Sequence, residues 1–181
     1  MNQLDILRES LGQCDEILLD ALLMRNRIVE DIMVYKEAND IPILQPEQEA
    51  KQREWLNRRM EGKRHKDEVM AVFEEITRNS KKIQARKLFD YNIVLIGFMG
   101  AGKSTISDFL RTVFAMEVVE MDQIIAEREG MSISDIFETY GEEYFRNLET
   151  ELLIEMQSKS NVVISCGGGV PLRERNEGEL K

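Results

Sequence analysis

The sequence predicts a two-part chain: an all-α module of three helices, then an α/β phosphate-loop module built on a parallel sheet. Three observations carry this. Apolar residues recur at alternating spacings of three and four from Leu4 to Tyr35, the pattern of one long helix with a single apolar seam. Past the midpoint, Gly97-Phe98-Met99-Gly100-Ala101-Gly102-Lys103-Ser104 fits G-x-x-x-x-G-K-[ST] directly after the apolar run Ile93-Val94-Leu95-Ile96, as a phosphate loop follows a buried strand. From Tyr91 onward strand-like and helix-like stretches alternate, which means a parallel sheet. The expected division is 1–90 and 91–181.

In the first module the seam positions are Leu4, Leu7, Leu11, Cys14, Leu18, Ala21, Arg25, Ile28, Ile32 and Tyr35. A helix of that length, about 50 Å at 1.5 Å per residue, outruns the core of one small domain. The seam is therefore expected to pair with a second chain. Asn39, Asp40 and Pro42 break the helix, and Pro46 with Glu47 and Glu49 opens a second that runs to about Glu61. Gly62 ends it, and Val69, Val72, Phe73, Ile76 and Ile83 keep helical spacing in a third, from about Lys66 to Leu88. In the second module strands are expected at 93–96, 117–121 and 162–165. A helix is expected from Thr105 to Leu110, and further helices lie between Gln123 and Ser158.

Composition narrows the function. Of 181 residues, 34 are Asp or Glu and 24 are Lys or Arg, a formal charge of −10. Nucleic acid and anionic membranes need a basic face, so neither is an expected partner. Cys14 and Cys166 are far apart and lack metal-ligand spacing, which argues against a disulfide framework and fits a cytoplasmic protein. No apolar run approaches the length of a membrane span.

The phosphate loop is the sharpest motif. Gly97, Gly100, Ala101 and Gly102 let backbone N–H groups close around phosphates, Lys103 reaches the terminal phosphates and Ser104 offers its hydroxyl to Mg²⁺. Thr105 begins the expected helix, whose N-terminal dipole adds to the anion site. Downstream come Glu120-Met121-Asp122 at a strand end, Phe145-Arg146, and Gly167-Gly168-Gly169 after the third strand. Carboxylates beside a phosphate loop can hold Mg²⁺ or accept a hydroxyl proton, an arginine can grip a carboxylate, and bare glycine amides can bind an anion. Each of these alone has a plain structural reading as a cap, a surface cation or a turn.

In the helical module Arg25 stands where neighbouring heptads place apolar residues, and burying it is costly unless an anion meets it. Lys36, eleven residues on, projects from nearly the same face, whereas Arg8, seventeen residues earlier, lies about 100° around the helix. Glu49 begins the second helix, and Ser80 and Gln84 form an i, i+4 pair on the third. These residues at this spacing resemble the all-helical, AroQ-class chorismate mutases, whose three helices per chain form an intertwined dimer. The resemblance implies that Arg25, with Arg8 from the partner chain, grips the two carboxylates of chorismate. It also implies that Lys36 and Gln84 hydrogen-bond the breaking ether oxygen, that Glu49 holds the ring hydroxyl and that Ser80 assists at a carboxylate. No cofactor is implied for this rearrangement to prephenate. Gln45 and Gln48 stand where many relatives carry an aspartate and an arginine, so Gln48 brings a catalytic position without its cation.

From Asn92 to Arg175 the ordered motifs resemble shikimate kinase. That resemblance implies ATP and Mg²⁺ at Lys103 and Ser104, with Glu120 near the metal in place of the usual aspartate. Shikimate is implied at Asp122 and Arg146, with Gly167, Gly168 and Gly169 completing its pocket. Members of that family continue well beyond the glycine triplet, with a lid, further arginines and an adenine pocket. The module is therefore expected to be inactive as a kinase, with Ile93 to Ile96 left as an open apolar edge. Open alternatives are a fully bifunctional mutase and kinase, a helical dimerisation module on a different small-molecule kinase, and a sensor of an aromatic acid.

Overall fold

A computed structural model describes residues 2–178. The chain divides into two compact units between Gln84 and Ala85.

The first unit holds three helices. Helix α1 (Gln3–Ala38) begins in a capping box, in which Asp5 N–H donates to Asn2 Oδ1 at 2.9 Å and Asn2 N–H to Asp5 Oδ2 at 3.1 Å. Its 36 residues make a rod of about 54 Å. Helix α2 (Pro46–Arg59) has Pro46 in its first turn, and Gly62 takes φ 69° in the turn before α3 (Lys66–Leu88). The three helices touch one another only sparsely. On α1 only Val29, Met33 and Lys36 are buried, while the seam residues Leu7, Leu18 and Tyr35 stay 60%, 59% and 64% exposed. Among the described residues, every cluster of buried apolar side chains lies in the second unit. The heptad pattern thus forms the predicted helix, but a single chain does not cover it.

The second unit is a three-stranded parallel sheet in the order β1 (Ile93–Leu95), β3 (Val162–Ser165), β2 (Glu117–Glu120). Register pairs Val94 with Ile164 and Val119 with Ile164. Side chains alternate as the pleat requires. Ile93, Leu95, Val118 and Val163 share one cluster with Leu110 and Phe114 of α4 (Lys103–Phe114) and with Ala85. Val94, Val119, Val162 and Ile164 share the other with Ile125 of α5 (Met121–Glu129) and Phe145, Leu152 and Leu153 of α6 (Ile133–Met156). Both faces are covered, so β3 is buried along its whole length. A 3-10 turn (Val170–Leu172) and α7 (Glu174–Glu177) follow.

Several boundaries differ from expectation, the end of α2 at Arg59 rather than Glu61 among them. Helix α4 begins two residues early, because Gly102 caps it in the left-handed region, and runs on to Phe114, ending at Ala115, also left-handed. Strand β1 stops at Leu95. Met121 is not the last strand residue but the first of α5, so Asp122 lies in a helix first turn. There the helix dipole favours its negative charge.

Candidate functional site

In the helical unit, Arg25 Nη1 donates to the Ser80 hydroxyl, which itself donates to Ile76 O at 3.0 Å. Ser80 is buried and Arg25 half-buried. Lys36 is buried near the end of α1 and donates from Nζ to Ile43 O at 2.8 Å. Burial pulls both cations below their ordinary pKa values, because their oxygen partners are neutral and no carboxylate offsets the desolvation. Two cations on α1 are thus desolvated without an acidic partner, a setting that suits an anionic ligand.

The other expected residues are arranged unequally. Glu49 pairs with Lys81 of α3 at 2.9 Å, Gln84 is half-buried one turn beyond Ser80, and Gln48 and Arg8 are exposed. No described bond links Arg25, Lys36 and Glu49 to one another. Arg8 lies seventeen residues before Arg25 on the same helix, about 25 Å away, beyond the reach of its own chain's Arg25.

In the second unit the phosphate loop has the backbone the motif requires. Gly100 and Gly102 take φ 80° and 86°, and a side chain at Gly97 would press within 3.0 Å of Ala101 Cβ. Lys103 Nζ lies over the loop, donating to Gly97 O and Phe98 O at 2.5 and 3.1 Å. Ser104 and Thr105 are exposed in the first turn of α4. Ser107 ties that turn to β2, donating to Ser104 O at 3.1 Å and to Glu120 Oε1 at 3.3 Å. Open amides, a helix N-terminus and a lysine fit a polyphosphate. Lys103 and Ser104 would hold its oxygens and metal, with Glu120 behind Ser107.

The remaining kinase residues converge. Gly169 lies so close to Arg146 that a Cβ there would fall 2.2 Å from Nη1, and one at Gly168 would fall 2.7 Å from the Phe98 ring. A Cβ at Gly167 would meet Glu149 Oε1 at 3.0 Å and Asp122 Oδ1 at 3.6 Å. The triplet is needed for this close approach, not for positive φ. Helix α6 is broken at Gly141, with φ 83°, and its second half aims Arg146 and Glu149 at the triplet.

Arg146 donates to Glu149 Oε2 at 2.7 Å and to Glu142 Oε1 at 3.0 Å. Burial lowers its pKa, but the bonds to Glu149 and Glu142 outweigh that and leave it raised. Glu149 is 1% exposed, and its Oε1 is buried without a hydrogen-bond partner. Burial lifts its pKa, Arg146 opposes the rise and Asp122 adds to it. A lone acceptor beside Asp122 and Gly167 is a ready partner for a hydroxyl. Sequence reasoning missed Glu149 and the Phe98 contact. The available signal was an acid three residues after Arg146 on the face of Leu148, Leu152 and Leu153. Cys166 is buried, and burial pushes its thiol up to about 12, which disfavours the thiolate form.

Comparison with known proteins bears on both units. Residues 7–85 match the family model of Chorismate mutase type II, and residues 99–181 match that of Shikimate kinase. The chain carries a chorismate mutase segment followed by a shikimate kinase segment. The kinase segment is 48% identical over 85 residues to a shikimate kinase of Dehalococcoides mccartyi, covering 47% of this chain and 48% of that one. It is 44% identical over 90 residues to one of Clostridium botulinum (strain Okra), covering 50% and 53%. It is also 47% identical over 89 residues to the bifunctional shikimate kinase/3-dehydroquinate synthase of Thermotoga maritima, covering 49% of this chain and 18% of that one. Shikimate kinase from Acinetobacter baumannii in complex with shikimate superposes with a TM-score of 0.50 at 35% identity, over 53% of this chain and 54% of that one. The chain thus spans about half the length of the shikimate kinases it matches. No described helix is long and apolar enough to cross a membrane.

Proposed function

We propose that the mutase segment rearranges chorismate to prephenate as a homodimer, in which each site takes Arg25, Lys36, Ser80 and Gln84 from one chain and Arg8 from the other. The single observation that carries this reading is the pair of desolvated cations, Arg25 and Lys36, held only by neutral oxygens on a helix whose apolar seam is exposed. The rearrangement is unimolecular and needs no nucleophile, metal or proton transfer. It needs the substrate folded over itself and positive charge where the ether oxygen gains negative charge. Arg25 and Arg8 of the partner subunit hold the two carboxylates, Ser80 orients Arg25, and Lys36 with Gln84 meets the ether oxygen. Glu49, steered by Lys81, accepts from the ring hydroxyl. Gln48 supplies no cation and limits the rate. Purified chain given chorismate without ATP or Mg²⁺, and with a chelator present, is expected to form prephenate; unchanged chorismate would contradict the reading.

For the kinase segment the proposal is narrower: Gly97 to Thr105 hold nucleotide phosphates, and Asp122, Arg146 and the glycine triplet hold shikimate. Bound ATP with Mg²⁺ would supply the phosphoryl group. This segment alone is expected to bind without turnover, since nothing described closes over the phosphates to exclude water. The convergence of Asp122, Arg146 and Gly167 to Gly169 favours a second reading, a fully bifunctional enzyme. Phosphate transfer from labelled ATP to shikimate by the purified chain decides between them. In either case the chain is expected to be soluble.

A further inference from the structure

Strand β2 begins and ends in an acid, and the two are engaged differently. Glu117 is exposed and pairs with Lys159. Glu120 is half-buried, and its carboxylate accepts from the Ser107 hydroxyl of α4. Glu120 is also the N-cap of α5, yet its side chain accepts nothing from that helix, although an acid in this position ordinarily turns to its own helix's open N–H groups. The pleat explains the direction. Val118 packs in the cluster with Leu110 and Phe114 of α4, and side chains two residues apart on a strand share a face.

Ser107 lies on the matching face of α4. Ser107, Leu110 and Phe114 are spaced i, i+3, i+7, one stripe of the helix, and the latter two pack in the cluster with Val118. Ser107 is 1% exposed, a polar residue in an apolar stripe. Its single proton stands between two acceptors, Ser104 O at 3.1 Å and Glu120 Oε1 at 3.3 Å. The bond to Ser104 O is local and would satisfy a buried serine on any helix. The reach to Glu120 crosses from helix to strand, and it joins two groups on the metal side of the phosphate loop. Ser104 is the residue that offers its hydroxyl to Mg²⁺, and Glu120 stands at the carboxyl end of its strand, where open parallel sheets bind ligands. The geometry points to Ser107 as a positioning residue: its hydroxyl fixes the Glu120 carboxylate toward the turn of Ser104, so that a glutamate can serve nucleotide-bound Mg²⁺ where an aspartate is usual. A glutamate has one more rotatable bond to immobilise than an aspartate, and a buried donor on a rigid helix immobilises it. An aspartate, one methylene shorter, would hold its carboxylate back toward β2, beyond hydrogen-bond distance of Ser107. This inference rests on reading Gly97 to Thr105 as a nucleotide-phosphate site.

The test is ATP binding to the full chain by calorimetry, once with excess Mg²⁺ and once with a chelator, with bound Mn²⁺ followed by its EPR spectrum as a second readout. Ser107→Ala is expected to weaken binding of ATP with Mg²⁺ about tenfold, the scale for groups that support a metal ligand. It should lower Mn²⁺ occupancy in step and leave binding in chelator unchanged. A serine that merely packed α4 would move both affinities together. In a Glu120→Asp background, Ser107→Ala should cause no further loss in either condition. Equal loss with and without metal, no loss with metal, or the same metal-dependent loss in the Glu120→Asp background overturns the proposal. A parent chain that binds no ATP in either condition overturns the nucleotide reading and the proposal with it, whereas a parent that binds ATP and a Ser107→Ala chain that matches it overturn the proposal alone. Should Ser107→Ala fail to fold, Ser107→Cys, close in size and only a weak donor, decides on the same criteria.

Discussion

Replacing Arg25 with alanine separates a catalytic cation from a residue that merely sets helix register. In the folded chain Arg25 donates to the neutral Ser80 hydroxyl, and burial lowers its pKa. A base held below its unfolded pKa costs stability at every pH at which it stays protonated. Arg25→Ala removes that cost and also one hydrogen bond from a charged donor, worth about 1.5–3 kcal/mol. The two effects oppose, and the melting temperature is expected to move by only a few degrees. Activity behaves differently. A guanidinium gripping a substrate carboxylate makes two charge-assisted bonds, together about 3–5 kcal/mol, so kcat/KM for chorismate should fall roughly 200- to 5000-fold. Arg25→Lys keeps the charge without the planar fork and should recover only part of the loss. The assay is chorismate disappearance against thermal unfolding of the same preparations. Turnover within a few-fold of the parent would refute the catalytic reasoning, and so would loss of activity accounted for by unfolding.

Lys36 should give kcat/KM an alkaline limb below the ordinary lysine value of 10.5, because burial lowers its pKa and only the protonated form is cationic; Lys36→Arg should move that limb upward. Gly169→Ala puts a Cβ 2.2 Å from Arg146 Nη1 and must displace a side chain pinned by Glu149, whereas Gly168→Ala meets only the exposed Phe98 ring. Shikimate binding measured by calorimetry should therefore fall at least tenfold in the first and little in the second. Glu149 has a raised pKa in the folded chain, so its contribution is fully present below about 4.5 and is lost as pH rises through the higher folded value. Denaturant unfolding of the isolated kinase unit should show stability declining across that window, and Glu149→Gln should flatten the profile.

The long helix was legible because a 3.5-residue repeat survives without tertiary knowledge, and the phosphate loop because its chemistry is local. What the repeat could not tell is that one chain leaves Leu7, Leu18 and Tyr35 exposed, since periodicity marks a face and not its cover. Arg25 stood out by interrupting the seam, but its bond to Ser80 joins residues 55 apart. Met121 illustrates a different limit: its apolar character announces burial equally well for the end of a strand or the start of a helix. The glycine triplet was read as an anion-binding backbone, and the structure adds the steric reason for it in Arg146, Glu149 and Phe98. Glu149 itself escaped notice because an acid on a helix usually faces water.

A mixture of two impaired variants tests the composite dimer site most directly. Arg8→Ala and Arg25→Ala chains, each inactive alone, are denatured together and refolded in equal amounts. If each site draws Arg25 from one chain and Arg8 from the other, a hybrid dimer contains one intact site. Random assembly then restores about a quarter of the parental chorismate turnover. A mixture as inactive as its components, or an Arg8→Ala chain that is fully active alone, would contradict the account.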